Sequence, residues 1–177
     1  MTKSFDIVRE KISENGDALF HCYIKVPRHV VKKNSRDIRV DRRTGRMWPG
    51  KSNELLFAER RLVSAFRTKV LRDPHFKTIT TPVWVVYLFY FPKDEFIVKK
   101  GPRKGRISGR LPDLSNLFEI VSDSLEDAGI IENDRLISSF DLSRRLPGET
   151  CALEVFVFSY DVEPTPHLEV VKESSPK

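Results

Sequence analysis

The residues best suited to chemistry in this sequence lie on one predicted helix. Apolar residues recur at helical spacing from Asp113 to Ala128, and Gly129 follows as a stop signal. With 3.6 residues per turn, the polar residues of the opposite side fall within one third of the helix circumference. They are Asp113, Asn116, Glu119, Asp123 and Asp127. Several carboxylates are therefore expected to point the same way.

One more carboxylate follows this helix. Asp134 comes just before a predicted strand, and a short return of the chain can bring it near the helix. Clustered carboxylates without a soft ligand suit a hard cation such as magnesium, with manganese as a substitute. Such a cation activates water and neutralises charge on phosphate oxygens. The pattern therefore suits phosphodiester hydrolysis.

The same pattern has an ordinary structural explanation. Most amphipathic helices with an acidic outer face are simply solvated. Asp113 is also well placed to be an N-cap, where its carboxylate would accept backbone N–H bonds and interact with the helix dipole without a catalytic role. The residues alone therefore leave the function open.

Two basic segments precede the acidic helix. Nine Lys and Arg residues lie between Arg28 and Lys51 against two aspartates, and seven lie between Lys93 and Arg110 against two acids. A charged run is often only a solvated loop, but two of them around one acidic motif favour nucleic-acid binding. The candidate DNA-binding residues are Lys32, Lys33, Arg36, Arg42, Arg43, Arg46, Lys99, Lys100, Arg103, Lys104, Arg106 and Arg110.

Composition narrows the class of protein. The 177 residues are 40% hydrophobic and 32% charged with a net charge of +6, which suits one soluble domain that attracts polyanions. Cys22 and Cys151 form no CxxC pair and the four histidines are scattered, so neither a zinc site nor a disulfide framework is expected. No apolar stretch resembles a signal peptide or could span a bilayer, so we expect a cytoplasmic protein without membrane contact.

The elements that must position these residues follow from hydrophobic periodicity. A second helix is predicted from Ser52 or Asn53 to Asp73. Strands are predicted at Leu19 to Val26, Thr81 to Phe91, Leu136 to Ser143 and Cys151 to Tyr160, of which the almost uniformly apolar second strand should be central. The fold class is therefore predicted to be α+β, a mixed sheet of about four strands with two main helices packed on it.

Turn residues predict two hairpins. Thr44 and Gly45 indicate a short hairpin around Arg42 to Arg46, and Leu146 to Glu149, which contains Pro-Gly, indicates a hairpin between the last two strands. We expect an N-terminal segment at residues 1–18, the domain at 19–162 and a flexible C-terminal tail at 163–177.

The acidic helix also carries a likeness to a known family. The segment PDLSNLFEIVSDSLEDAGIIENDRLI resembles the signature of the RusA family of Holliday junction resolvases, in which DLDNLxK leads to a D-A-L helix and a terminal D-D pair. The earlier segment VPRHVVKKNSRDIRV is similar to the family's N-terminal part. The resemblance implies a RusA-like fold and a homodimeric, magnesium-dependent endonuclease. Such enzymes make paired nicks in four-way junctions during recombination and repair, usually of phage or prophage.

The resemblance assigns roles to single residues. Asp113 matches the first catalytic aspartate of the family and Asp134 matches the last. Asn116 and Asp123 match the Asn and the Asp within the signature helix.

Three positions depart from the family pattern. Ser115 stands where a second catalytic aspartate is common, Glu119 replaces a catalytic lysine, and Asn133 replaces the first acid of the terminal pair. The loss of a carboxylate weakens metal binding, although Glu119 can serve as its replacement. The candidate catalytic residues are thus Asp113, Glu119, Asp123 and Asp134, and the candidate metal ligands are Asp113, Glu119 and Asp134.

Three functions compete at this point. The first is an active junction endonuclease, and the second is a protein of the same fold that binds branched DNA without cutting it. The third is an RNA-binding or interaction module that uses a sheet face. It is disfavoured because the Phe and Tyr residues look buried in strands rather than displayed.

Overall fold

The structure is a computed structural model that describes residues 2–14, 16–26, 36–41, 43–109 and 111–160. Side chains are described for the same residues except 2–7, 36–39, 48 and 49. The tail predicted at 163–177 lies outside these ranges.

Four helices and seven strands make up the described part of the chain. In chain order they are α1 (Thr2–Glu14), β1 (Phe20–Lys25), β2 (Arg36–Val40), β3 (Met47–Lys51), α2 (Asn53–Val70), β4 (Val83–Pro92), α3 (Lys93–Phe96), α4 (Leu114–Asp127), β5 (Ile137–Ser139), β6 (Arg144–Gly148) and β7 (Ala152–Ser159). A short 3-10 helix, Asp134–Leu136, precedes β5. The two main predicted helices correspond to α2 and α4.

The main sheet has five strands arranged around β4. On one side β4 pairs with antiparallel β7, which pairs in turn with antiparallel β1. On the other side the start of β4 pairs with parallel β5, and its end pairs with parallel β6. The predicted α+β class with a mixed sheet is confirmed, with five strands where about four were expected.

Both faces of β4 are buried, which explains its uniformly apolar sequence. Val85, Tyr87 and Phe89 face a core that includes α2 and α4. Their neighbours Val86 and Leu88 face a second core that includes α1. The prediction that this strand is central is confirmed, and helices cover the sheet on both sides.

The predicted hairpin at Leu146 to Glu149 is wrong. Residues 144–148 form β6, and β4 lies between β6 and β7, so the last two strands are not paired with each other. Pro147 lacks a backbone N–H, which an edge strand tolerates as well as a turn does. Gly148 is also closely packed, because a Cβ there would lie 3.1 Å from the Cβ of Tyr90.

The strand predicted from Leu136 to Ser143 is shorter in the structure. It ends at Ser139 because the chain leaves the sheet at a bend where Leu142 has a φ of 66°. The hydroxyl of Ser143 fills the resulting gap in the ladder by accepting a hydrogen bond from the amide of Tyr87 at 2.9 Å. The edge beside β4 is therefore split into two short strands.

Within the N-terminal segment expected at residues 1–18, Thr2–Glu14 form α1, which packs on the sheet. Val8 and Ile12 are buried in the second core, and Arg9 forms an ion pair with Glu154 of β7 at 2.7 Å. This helix was not predicted from the sequence. Residues 2–14 therefore pack as part of the same unit as the sheet.

Candidate functional site

The first candidate residue, Asp113, is the N-cap of α4. Its backbone is extended and its side chain is exposed, but its carboxylate makes no capping hydrogen bond within the described part of the chain. Two other caps contrast with it. Ser52 Oγ accepts from the amide of Leu55 at 3.2 Å, and Asn133 Oδ1 accepts from the amide of Arg135 at 3.0 Å. Capping hydrogen bonds therefore do not account for an acid at position 113.

The outer face of α4 carries the other predicted polar residues. Glu119 is exposed, Asn116 and Asp123 are half-buried, and each of the three has an interaction partner. The opposite side is buried against the sheet, as the apolar spacing predicted. Asp113, Asn116, Glu119 and Asp123 thus follow one polar stripe, in which residues three or four apart are neighbours.

Asp134 lies at the start of the 3-10 helix that follows α4. Its backbone amide donates a hydrogen bond to Glu126 Oε2 at 2.9 Å. Its negative charge also acts on buried Tyr87, whose hydroxyl lies 3.1 Å from Ser122 Oγ. Burial raises the pKa of Tyr87 strongly, and the Asp134 charge adds to that rise. Asp134 is thus near the helix, as expected, but its backbone is fixed to the C-terminal half.

Asp113 caps the start of α4, whereas the backbone of Asp134 is hydrogen-bonded to Glu126 near the end of that helix. Glu126, which holds the backbone of Asp134, lies about 20 Å along the helix axis from position 113 at 1.5 Å per residue. Within the described residues, no three side chains of the Asp, Glu, His or Cys types come together in a way that could hold a metal ion. Asp113, Glu119 and Asp134 therefore do not form a preformed three-ligand cluster.

A basic loop leads into the N-terminus of α4. We use this name for residues 98–106, a turn closed by the pairing of Ile97 with Ile107. The loop exposes Lys99, Lys100, Arg103, Lys104 and Arg106. A hydrogen bond of 3.3 Å from Arg145 Nη1 to the carbonyl of Pro112 then ties the start of α4 to β6. Five of the predicted DNA-binding residues thus lie a short stretch of chain before Asp113.

The other basic segment includes the hairpin β2–β3, which forms a separate two-stranded sheet. This confirms the hairpin predicted from Thr44 and Gly45. Arg43 and Arg46 are exposed at its turn. Lys32, Lys33, Arg42 and Arg110 lie outside the described residues, and the side chain of Arg36 is not among those described.

An open groove lies away from the candidate residues. It has a volume of about 560 Å³ and is lined by one side of α2, including Arg60 and Val63, and by Asp127 at the end of α4. Arg67 Nη2 donates to the carbonyl of Asp127 at 2.6 Å across it. The groove is therefore at the end of α4 opposite to Asp113.

Sequence reasoning missed a buried polar cluster on the α1 side of the sheet. Glu154 is only 3% exposed, and its Oε2 accepts hydrogen bonds from Tyr90 Oη and Arg9 Nη2, both at 2.7 Å. His21 Nε2 lies 3.0 Å from Oε1 of the same carboxylate. A lone acid within the apolar strand ALEVFVFS was the available signal. The partners could not be found because they depend on the packing of α1 and the pairing of β1 with β7.

The cluster shifts the acidity of its members. Burial alone would raise the pKa of Glu154, but hydrogen bonds from His21 and Tyr90 and the charge of Arg9 outweigh burial and lower it. Burial, followed by the hydrogen bond to Glu154, raises the pKa of Tyr90 to about 12. Glu154 is therefore stabilised as a buried carboxylate that joins α1 to the sheet.

Comparison with protein-family models gives no match, and comparison with curated proteins gives no significant match. The likeness of the α4 segment to the RusA signature therefore rests on the residues of that segment. In the described ranges, none of the helices has the length and apolar character needed to cross a membrane.

Proposed function

We propose that the protein is a structure-specific endodeoxyribonuclease that acts on four-way DNA junctions as a homodimer. The position of Asp113 is the observation that carries the proposal. Its carboxylate is exposed, makes no capping hydrogen bond with described residues, and follows the basic loop by a short stretch of chain. A ligand group for a cation thus lies close in sequence to positive charges that attract a phosphate backbone.

The polar stripe of α4 offers oxygen donors for the cation. Magnesium, or manganese in its place, would be held by Asp113 or Glu119, with water and DNA phosphate completing its shell, as magnesium commonly requires. When bound, the ion would supply an activated water and neutralise charge on the phosphate. Asp134, whose backbone is fixed to Glu126, would have to approach from the C-terminal half of the helix.

The remaining parts of the site would bind and orient DNA. The basic loop and the β2–β3 turn would contact backbone phosphates, which gives affinity without reading the sequence. The N-terminus of α4 adds a partial positive charge near Asp113, so a phosphate is favoured there as well. In a homodimer each copy would bring one such site to the junction, so two nicks would be expected.

A second candidate is a protein that binds branched DNA without cutting it. It is favoured by the lack of a three-ligand group among the described residues and by Ser115 and Glu119, which depart from the family signature. In that case the basic surfaces would function and the stripe on α4 would be only a solvated face.

One experiment separates the two candidates. The protein is incubated with a synthetic four-way junction and a matched linear duplex, with magnesium, with manganese and with neither. The endonuclease should nick only the junction and only with metal, whereas the binding protein should retain the junction and leave every strand intact. Equal binding of the junction and the duplex, with neither of them cut, would reject both candidates.

A further inference from the structure

The end of the β2–β3 hairpin exposes an apolar pair. Val40 and Met47 are 55% and 71% exposed. They are direct partners in the antiparallel register, so their side chains lie on the same face of the hairpin. Large apolar side chains exposed as a pair differ from the scattered ones that ordinary surfaces carry.

A network of hydrogen bonds holds the turn beside this pair. Asp41 Oδ1 accepts from the amide of Arg43 at 2.8 Å, and Asp41 Oδ2 accepts from Thr44 Oγ1 at 2.8 Å. These hydrogen bonds lower the pKa of Asp41, and the bond from the Arg43 amide has the largest effect. Gly45, with a φ of 68°, closes the turn by donating to the carbonyl of Asp41 at 2.8 Å. The pair is thus presented on a preorganised turn.

The hairpin is also anchored at its base. Lys51 at the end of β3 forms an ion pair of 2.7 Å with Glu59 of α2. The hairpin forms a two-stranded sheet of its own, which is not paired with the five-stranded sheet. The base of the hairpin is therefore attached to α2 by this ion pair.

The charges around the pair indicate what it contacts. Arg43 and Arg46 are exposed on either side of Gly45, while the carboxylate of Asp41 is engaged within the turn. The end of the hairpin therefore attracts a polyanion and offers it an apolar surface. DNA-bending proteins combine these two features, with cations on the phosphates and Met, Leu or similar side chains inserted between bases.

We propose that Val40 and Met47 form a wedge that inserts at an unstacked base step, while Arg43 and Arg46 bind the adjacent phosphates. This inference rests on the proposed binding of branched DNA. A branch point is the preferred target, because insertion costs least where bases are already incompletely stacked.

The test uses a four-way junction with the fluorescent base 2-aminopurine at the branch point. Binding of the wild-type protein should increase the fluorescence, because the base becomes unstacked. The variant Val40→Thr with Met47→Gln should lose most of that increase and bind the junction about tenfold more weakly, with its affinity for linear duplex unchanged. Met47→Leu should retain the wild-type response, which shows that an apolar side chain is what matters.

The matched control is Leu71→Gln, which removes an apolar side chain that is 85% exposed at the end of α2. It should change neither fluorescence nor affinity. An unchanged fluorescence response in the double variant would overturn the wedge while leaving junction binding in place. If the double variant sediments differently from the wild type but gives the same fluorescence response and junction affinity, Val40 and Met47 would belong to a contact between two copies of the chain instead. No junction binding by the wild type would overturn both proposals.

Discussion

The backbone amide of Asp134 donates a hydrogen bond to the carboxylate of Glu126 at 2.9 Å. This bond attaches the residue that matches the last aspartate of the RusA signature to the C-terminal half of α4. Asp113 lies at the other end of the same helix. The backbones of the two aspartates are thus fixed at opposite ends of α4.

Removal of the Glu126 carboxylate tests the importance of this attachment. Glu126→Ala should lower the free energy of unfolding by about 1 kcal/mol, because a hydrogen bond is lost, and should reduce junction cleavage while leaving junction binding intact. Glu126→Gln keeps an acceptor and should retain most of both. The control is Glu132→Ala, another acid beside the same turn. Equal cleavage by Glu126→Ala and wild type would show that the position of Asp134 is not needed.

The contrast between two helix caps gives a prediction on stability. Ser52→Ala should cost about 1 kcal/mol of unfolding free energy, because Ser52 caps α2 through the amide of Leu55. Asp113→Ala should cost no more than about 0.5 kcal/mol, since only its interaction with the helix dipole is lost. Urea denaturation of both variants makes the comparison. If Asp113→Ala lowers the free energy of unfolding as much as Ser52→Ala does, Asp113 stabilises α4 as a helix cap, and its presence has a structural explanation.

The buried cluster predicts how stability depends on pH. The pKa of Glu154 is lower in the folded protein than in the unfolded chain, so its contribution is fully present above its ordinary pKa of about 4.5 and is lost as the pH falls through the lower folded value. Wild-type stability should therefore decline in acid. Glu154→Gln should be less stable by about 1 to 3 kcal/mol at pH 7 and should show a flatter decline. Parallel pH profiles of the two proteins, measured by urea denaturation, would contradict this.

The basic loop predicts a change in salt dependence. Lys104→Ala with Arg106→Ala should weaken junction binding and reduce the slope of log affinity against log salt by roughly two, about one for each phosphate contact. The control, Arg72→Ala with Lys77→Ala, removes the same charge from exposed positions elsewhere. Equal slopes for the two double variants would place the DNA surface away from the basic loop.

The sequence predicted the elements better than their arrangement. The apolar run of β4, the Ser52 cap of α2 and the polar stripe of α4 are local patterns, and all three are present in the structure. The order of strands is not local. Pro147 and Gly148 suit a turn and an edge strand equally, so only the pairing of β6 with β4 decides between them.

In the candidate site too, local patterns could be predicted and contacts between distant residues could not. Helical periodicity correctly predicted that Asp113 and Glu119 lie on one polar stripe. The position of the Asp134 backbone depends instead on a hydrogen bond to Glu126, a residue that the sequence did not single out. Glu154 was visible as an acid in an apolar strand. Its partners Arg9 and His21 come from segments far away in sequence.

Cleavage of a four-way junction labelled on all four strands tests the central claim most directly. In the presence of magnesium, the wild-type protein should cut the junction with paired, symmetric nicks. Asp113→Asn should bind the junction with unchanged affinity and nick it at least about a hundredfold more slowly, because a metal-ligand charge is lost without a change in shape. Asp127→Asn, which removes a charge from the far end of α4, should cut like the wild type. Cleavage by Asp113→Asn at the wild-type rate would contradict the account.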